Sequence, residues 1–433
     1  MHVKCMSHGP AAGRPAGRTG IDNLMNRIAS RSLLAVVVAG CCSTAVAQST
    51  ATLVTDLSSS SVAARSDAAE ALARRGDKSA TQPLLKALVK EPVASVRAQI
   101  VAALANARDP AAVPGLVAAM KNGKADVRAG AARALGLIGD GRAVKPEIRA
   151  LKDGAPIVRR EAVEALGILG GKAIFDPLAA ATRDSDSRVR LKAVTALGRL
   201  GDRRAAKPAL ALLHDRSSAV QSAAATTLGQ LGDRSVVPAL MAIVADPKTG
   251  ERFGVRFFAA NALSMLGDRR AVPVLIKGLK DADPYVRASA AYSLGFLHET
   301  SAVPALMAAV RDKHVNVRFR AIQALGALKD RRAVEMLCRI VVNMKDHEDL
   351  REQSAKALGN IRDARAVPAL VEAFKDWDEA IPKNAAISLG RIGDRRAIAP
   401  LRTLMATHKD ATVRLAAHDA LVMLGEKPRE ARR

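Results

Sequence analysis

Residues 267–297 read GDRRAVPVLIKGLKDADPYVRASAAYSLGFL, and nearly the same words return around Pro208 (GDRRAAKPALALL) and Pro400 (GDRRAIAPLRTLM). Within the stretch, Pro273 opens one helix, Asp283-Pro284 breaks it, and Val286-Arg287 starts a second helix that runs to Leu297. One helix pair of this size cannot bury its apolar faces alone. Recurrence therefore predicts neighbours stacked into a continuous core.

Outward from that stretch, the first helix of each unit is marked by Pro83, Pro114, Pro146, Pro177, Pro208, Pro238, Pro273, Pro304, Pro368 and Pro400, with Glu335 standing in for one. Most intervals are 30 to 32 residues. Val-Arg marks the second helix, as at Val127-Arg128, Val158-Arg159, Val189-Arg190 and Val317-Arg318, and Ala-Leu-Gly marks its end, as at 134–136 and 324–326. Proline early in a helix loses little, because its missing N–H has no intrahelical partner there. Apolar residues at three- and four-residue steps give each helix a buried stripe. Gly-Asp, at 139–140, 201–202, 232–233, 267–268 and 393–394, closes the second helix. Glycine takes the left-handed stop, and Asp turns the chain or caps the next helix.

This pattern resembles the HEAT repeat, and closest the bacterial subtype named after the phycobilisome lyases. The resemblance covers residues 62–425 and implies an all-α fold: an α-solenoid, a right-handed superhelix of about 11–12 stacked antiparallel helix pairs of about 31 residues each. It also implies that turn aspartates such as Asp186, Asp283 and Asp312 pair with the Arg after Val, in a ladder between repeats. The Arg series is then structural, despite its look of a basic stripe.

Composition agrees with thin helical layers. Only ten of 433 residues are aromatic, so Ala, Leu and Val must carry the packing. Residues 1–47 read differently. Met25 begins the basic MNRIASR, the apolar run Leu33 to Gly40 comes next, and Cys41-Cys42-Ser43-Thr44-Ala45-Val46-Ala47 completes an export signal. Two processing routes fit: cleavage after Ala47, or lipidation of Cys41 at the lipobox-like Val38-Ala39-Gly40-Cys41. Residues 1–24 read as an over-extended start, 48–61 as a Ser/Thr-rich linker or a degenerate first helix, and 426–433 as a basic tail. Without residues 1–47 the balance is 62 basic to 41 acidic residues, or +21, and of four cysteines only Cys338 remains. A lone cysteine excludes an intramolecular disulfide.

A sweep for chemistry finds no Walker-type loop, GxSxG, HExxH or CxxC. Deoxyhypusine hydroxylase, a relative by repeat type, sets His-Glu pairs after Val-Arg to bind iron. Here those places read Arg160-Glu161 and Glu352-Gln353, and His298-Glu299 and His347-Glu348 lie off that register. The loop Asp346-His347-Glu348-Asp349 combines imidazole and carboxylates as a weak divalent-metal site would, and reads first as a solvated loop. Neither a cofactor nor a metal is expected.

Helical geometry yields the candidate site. Stepping 100° per residue from Arg287 gathers Val286, Ala290, Leu294 and Leu297 on the core face, and turns Tyr292 and Phe296 to the opposite side. The same slots hold Phe257, Phe258, Asn261 and Met265 one repeat earlier, and Phe319, Arg320 and Gln323 one repeat later. Seven of the ten aromatics fall between Phe253 and Phe319. Exposed aromatics rimmed by Arg, Asn and Gln are what a protein-binding hot spot requires, and ordinary packing between neighbouring helices is the competing reading. The expected function is a non-enzymatic scaffold of the bacterial envelope, periplasmic or lipid-anchored, that binds a protein or peptide on its concave face. An anion-binding module for nucleic acid or anionic lipid is one alternative. An enzyme or accessory of the bilin-lyase or hydroxylase type is the other.

Overall fold

Aspartate and glycine set the rhythm of the chain. In the computed structural model, which describes residues 48–247 and 254–426, Gly139 closes a helix in the left-handed conformation at φ +78°, and Asp140 caps the next turn by accepting from Arg142 N at 2.9 Å. That turn is a single 3₁₀ turn, and it leads into the first helix of each repeat. Asp109, Asp202, Asp233, Asp268, Asp330, Asp363 and Asp394 cap in the same way. The segment that reads as an export signal, with Cys41, the loop residues 248–253 with Phe253, and all but Glu426 of the basic tail lie outside the described residues.

From Thr50 onward the described residues form twelve helix pairs. Thr50–Asp56, the stretch that reads as linker or degenerate helix, is a helix with Leu53 buried. In the repeat of residues 267–297, the first helix is Val272–Gly278 and the second is Pro284–Phe296. Asp283-Pro284 does not break the first helix. The first helix ends before the loop, Asp283 accepts from Tyr285 N at 2.8 Å to cap the second, and Pro284 fills its first turn.

Second helices pack on one another far more closely than first helices do, which makes them the inner, concave layer. The Ala-Leu-Gly glycine explains that closeness, and it does not end the helix. Val315–Leu328 continues past Gly326, where an added Cβ would meet Ala357 Cα at 2.8 Å. Gly326→Ala is therefore expected to destabilise by about 1–3 kcal/mol through overpacking. The intrinsic helix preference for alanine is worth only about 1 kcal/mol in the other direction. Gly123→Ala, with nothing within 4 Å, serves as the control in urea unfolding. Equal midpoints for the two variants would remove close packing as the reason for this glycine.

The arginine ladder exists, with a different set of aspartates. Arg128 pairs with Asp153, Arg159 with Asp184, Arg190 with Asp215 and Arg287 with Asp312, at 2.6–2.7 Å from Nε. Each of these arginines also donates through Nη1 to carbonyls of its own loop, as Arg159 does to Asp153 O at 2.9 Å. Asp312 is thus a rung. Asp186 and Asp283 are not, because both cap second helices, and Asp186 pairs locally with Arg188. A second, exposed row runs along the opposite turns. Arg142 grips Asp140 and reaches Pro110 O of the preceding repeat at 2.8 Å, and Arg332 and Arg396 repeat the pattern. The hydrogen bond from Arg142 holds the Asp140 carboxyl down at about 2.

The buried apolar core departs from the expected continuous column. One cluster of buried side chains extends from Leu53 to Ala143 and another from Val163 to Leu421. The first helix Val144–Ala150 lies between them with Val144 and Ile148 packed against the second, and the second helices on either side, Ala125–Ile138 and Pro156–Leu169, pack closely on each other.

Candidate functional site on the inner helix layer

Three consecutive second helices, Val255–Leu266, Pro284–Phe296 and Val315–Leu328, carry the candidate residues. Their core stripes are buried as expected: Val286, Ala290 and Leu294 are no more than 1% exposed. The opposite slots face outward, with Tyr292 38%, Phe296 54% and Met265 51% exposed. Isolated exposed apolar side chains are ordinary, so what matters is that these are adjacent and organised.

Tyr292 and Phe296 lie 6.5 Å apart between ring centres. The Arg320 guanidinium sits over the Tyr292 ring at 5.4 Å and over Phe319 at 5.6 Å, and it donates to Gln323 Oε1 at 2.8 Å. A guanidinium over an aromatic face is attractive and pre-orients both groups. Tyr292, Phe296 and Gln323 line one small hollow of about 160 Å³ together with His298.

The remaining candidates do other work. Phe258 and Phe319 are half-buried against the core, and Phe257 meets Phe258 edge to face at 5.1 Å. Asn261 is occupied by its neighbour, since the Ser289 hydroxyl lies 2.7 Å from its Oδ1. The cluster therefore divides into a packed half around Phe257, Phe258, Asn261 and Phe319, and an exposed pair, Tyr292 and Phe296, flanked by the half-buried Arg320 and Gln323.

His298 was not legible as a site residue. It occupies the helix-closing position that glycine holds in other repeats, with φ +53°, and that conformation costs a non-glycine residue about 1–2 kcal/mol. A second inner-layer groove of about 470 Å³ was also missed, lined by Arg133, Arg160, Glu161, Glu164, Ile168 and Lys192 among others. Its charges are scattered over three repeats and form no motif. Two of its cations are already paired, Arg160 with Glu161 and Lys192 with Glu164.

His347 of the acidic loop caps Glu348–Ile361 by accepting from Asp349 N, and Asp346 accepts from Asn343. Among the described residues no three His, Cys, Asp or Glu side chains converge on a metal position. Burial pushes the Cys338 thiol up to about 11, so it is not a ready nucleophile.

The family model for HEAT repeats matches in overlapping windows that run from residue 50 to residue 422, among them 50–130, 207–294 and 341–422. The chain belongs to the HEAT-repeat family. No curated protein matches the sequence of this HEAT-repeat chain. Among solved structures it is similar to importin beta, at 16% identity and TM-score 0.63 over 87% of this chain and 61% of that one. It is likewise similar to Kap95p, in a structure of its binding to RanGDP, at 14% identity and TM-score 0.60, covering 87% and 60%. Kap121p bound to Nup53p matches at 12% identity and TM-score 0.57, covering 87% and 49%. The CpcE–CpcF phycocyanin lyase complex of Nostoc sp. PCC7120 matches 53% of this chain and 93% of that one at 24% identity, but its TM-score is only 0.35. The HEAT-repeat chain thus spans about three fifths of the importin chains, and the likeness establishes the solenoid fold.

Proposed function

We propose that this protein is a non-enzymatic scaffold that binds a protein or peptide on its concave face, through Tyr292 and Phe296 with Arg320 and Gln323 at the rim. The observation that carries this reading is the exposed aromatic pair on the inner layer, already held by the Arg320 guanidinium. Rigid aromatic anchors beside arginine are the usual centres of binding energy. Kap121p bound to Nup53p supplies an analogy on the same fold. The leader pattern of residues 25–47 supports work in the bacterial envelope, either as a soluble periplasmic protein or as a lipoprotein anchored through Cys41. The subtype of the repeat is that of the phycobilisome lyases, by its Pro, Val-Arg and Ala-Leu-Gly words.

The test is affinity capture from envelope extract with wild type and with Tyr292→Ala/Phe296→Ala. We expect the double variant to keep its helicity and unfolding midpoint and to lose its partner by at least tenfold, the scale of a hot-spot pair. Retention of the partner by a folded double variant excludes this site. The +21 balance favours a second reading, an anion-binding module, and predicts a steep loss of binding between 50 and 200 mM salt. Salt-insensitive capture that needs the aromatics separates the two. A coloured or metal-containing purified protein would favour an enzyme.

A further inference from the structure

Every first helix sends one residue into the centre of its repeat, four places after the small or branched residue that ends the 3₁₀ turn. Leu116, Leu178, Leu240, Leu275, Leu306 and Leu370 hold that place with no exposure at all. In Val144–Ala150 the place is taken by Glu147, which is equally buried, and neither carboxyl oxygen has a protein partner. The two apolar clusters of the array part at this helix. A buried carboxyl with no partner, in the place where leucine recurs and where the buried apolar clusters part, is a local defect of this repeat.

The charged neighbours offer no compensation. Arg142, in the turn before the helix, is held by Asp140; on the second helix Pro156–Leu169, Arg159 is held by Asp184, Arg160 by Glu161, and Glu164 by Lys192. On the preceding second helix, Asp126 is held by Arg97, Arg128 by Asp153, and Arg133 is exposed. Lys145 and Arg149 of its own helix point to solvent, as does Asp176 on the next first helix. Glu161 alone acts on Glu147, and it repels.

We infer that Glu147 makes Val144–Ala150 a built-in joint: this first helix lifts from Pro156–Leu169 when the carboxyl loses its proton, while the second helices on either side stay packed on each other. Burial, with Glu161 second, pushes the Glu147 carboxyl up to about 9, so it is neutral when the joint is closed. A carboxylate formed there has no counter-charge and no donor, and reaching water requires the first helix to lift from Pro156–Leu169. The inner groove lined by Arg133, Glu161 and Lys192 spans the second helices on both sides of this joint.

Hydrogen exchange on the full chain tests this, comparing residues 144–163 with the equivalent 175–194 of the next repeat in the same sample. In wild type, exchange of 144–163 relative to 175–194 is expected to rise roughly tenfold per pH unit up to about pH 9. Glu147→Leu, which restores the side chain of the other repeats, should leave the ratio flat. Glu161→Gln removes the repulsion and eases ionisation in the closed state, so the rise should begin at the same pH and level off at a lower one. A wild-type ratio that does not change between pH 7 and pH 9.5, or the same rise in Glu147→Leu, overturns the joint.

Discussion

Glu147→Leu is expected to stabilise the protein by about 3 kcal/mol at pH 7, and the gain should grow as the pH rises. The ordinary glutamate value is 4.5, and in the fold Glu147 is raised to about 9. Below about pH 4.5 both folded and unfolded chains hold the proton, and the group gives no pH dependence. Between about 4.5 and 9 the folded chain keeps a proton that the unfolded chain has released. Unfolding then frees a proton, and stability falls by about 1.4 kcal/mol per pH unit. Above about 9 the charge is borne in both states and the full penalty stands. At pH 7 the accumulated loss is about 3 kcal/mol, and leucine removes it while adding the apolar contact that the other repeats enjoy. Urea midpoints for the two proteins should therefore diverge from pH 5 to pH 9. Parallel profiles would mean that Glu147 has found a partner and is charged at neutral pH.

The sequence showed the solenoid clearly, and the reasons lie in particular residues. Pro, Val-Arg and Gly-Asp each perform one local task in every repeat, so repetition multiplied a weak signal into a firm one. The outward turn of Tyr292 and Phe296 came from helical geometry alone. What stayed hidden depended on contacts between repeats. Asp186 and Asp283 look like Asp312 in the sequence, yet a small difference of register separates a helix cap from a ladder rung. Asn261 looked free because its partner Ser289 sits on the next helix. Glu147 was visible in principle: aligning the first helices by their turn alanines sets VKPE against VPGL and VPAL, with glutamate where leucine recurs. Reading proline as the marker obscured this, because Pro146 stands one place later in its helix than Pro114 or Pro304 does.

The ladder also bears on the charge. Ladder arginines such as Arg159 and Arg190 are spent on aspartates of the next repeat, and Arg142, Arg332 and Arg396 on the caps of their own turns. Much of the apparent basic stripe is therefore neutralised in place. An anionic partner would have to rely on the cations outside these rows, which weakens that reading relative to the aromatic one.

Within the ladder one rung should dominate stability. Arg351 and Asp376 are each 1% exposed at the side chain, and they are joined at 2.7 Å from Nε and 3.1 Å from Nη2. Nη1 donates to Asp346 O, and the guanidinium also lies 5.8 Å from the Trp377 ring. Removing the arginine leaves a carboxylate out of water with only the Asp378 N–H to serve it. Breaking such a pair from one side costs about 3–5 kcal/mol, because the surviving charge is stranded. Arg351→Ala is expected to lose that amount in urea unfolding, with little change when salt is raised, since a pair out of water is poorly screened. Arg142→Ala sets the contrast: its side chain is 57% exposed, and a solvated pair of that kind contributes little, and salt erodes it. Trp377 is the chain's only tryptophan and stands over the rung, so its emission reports the local loss directly. Equal costs for the two arginines would show that the interior row is no stronger than the exposed one. The stack would then be held by its Ala and Leu contacts alone.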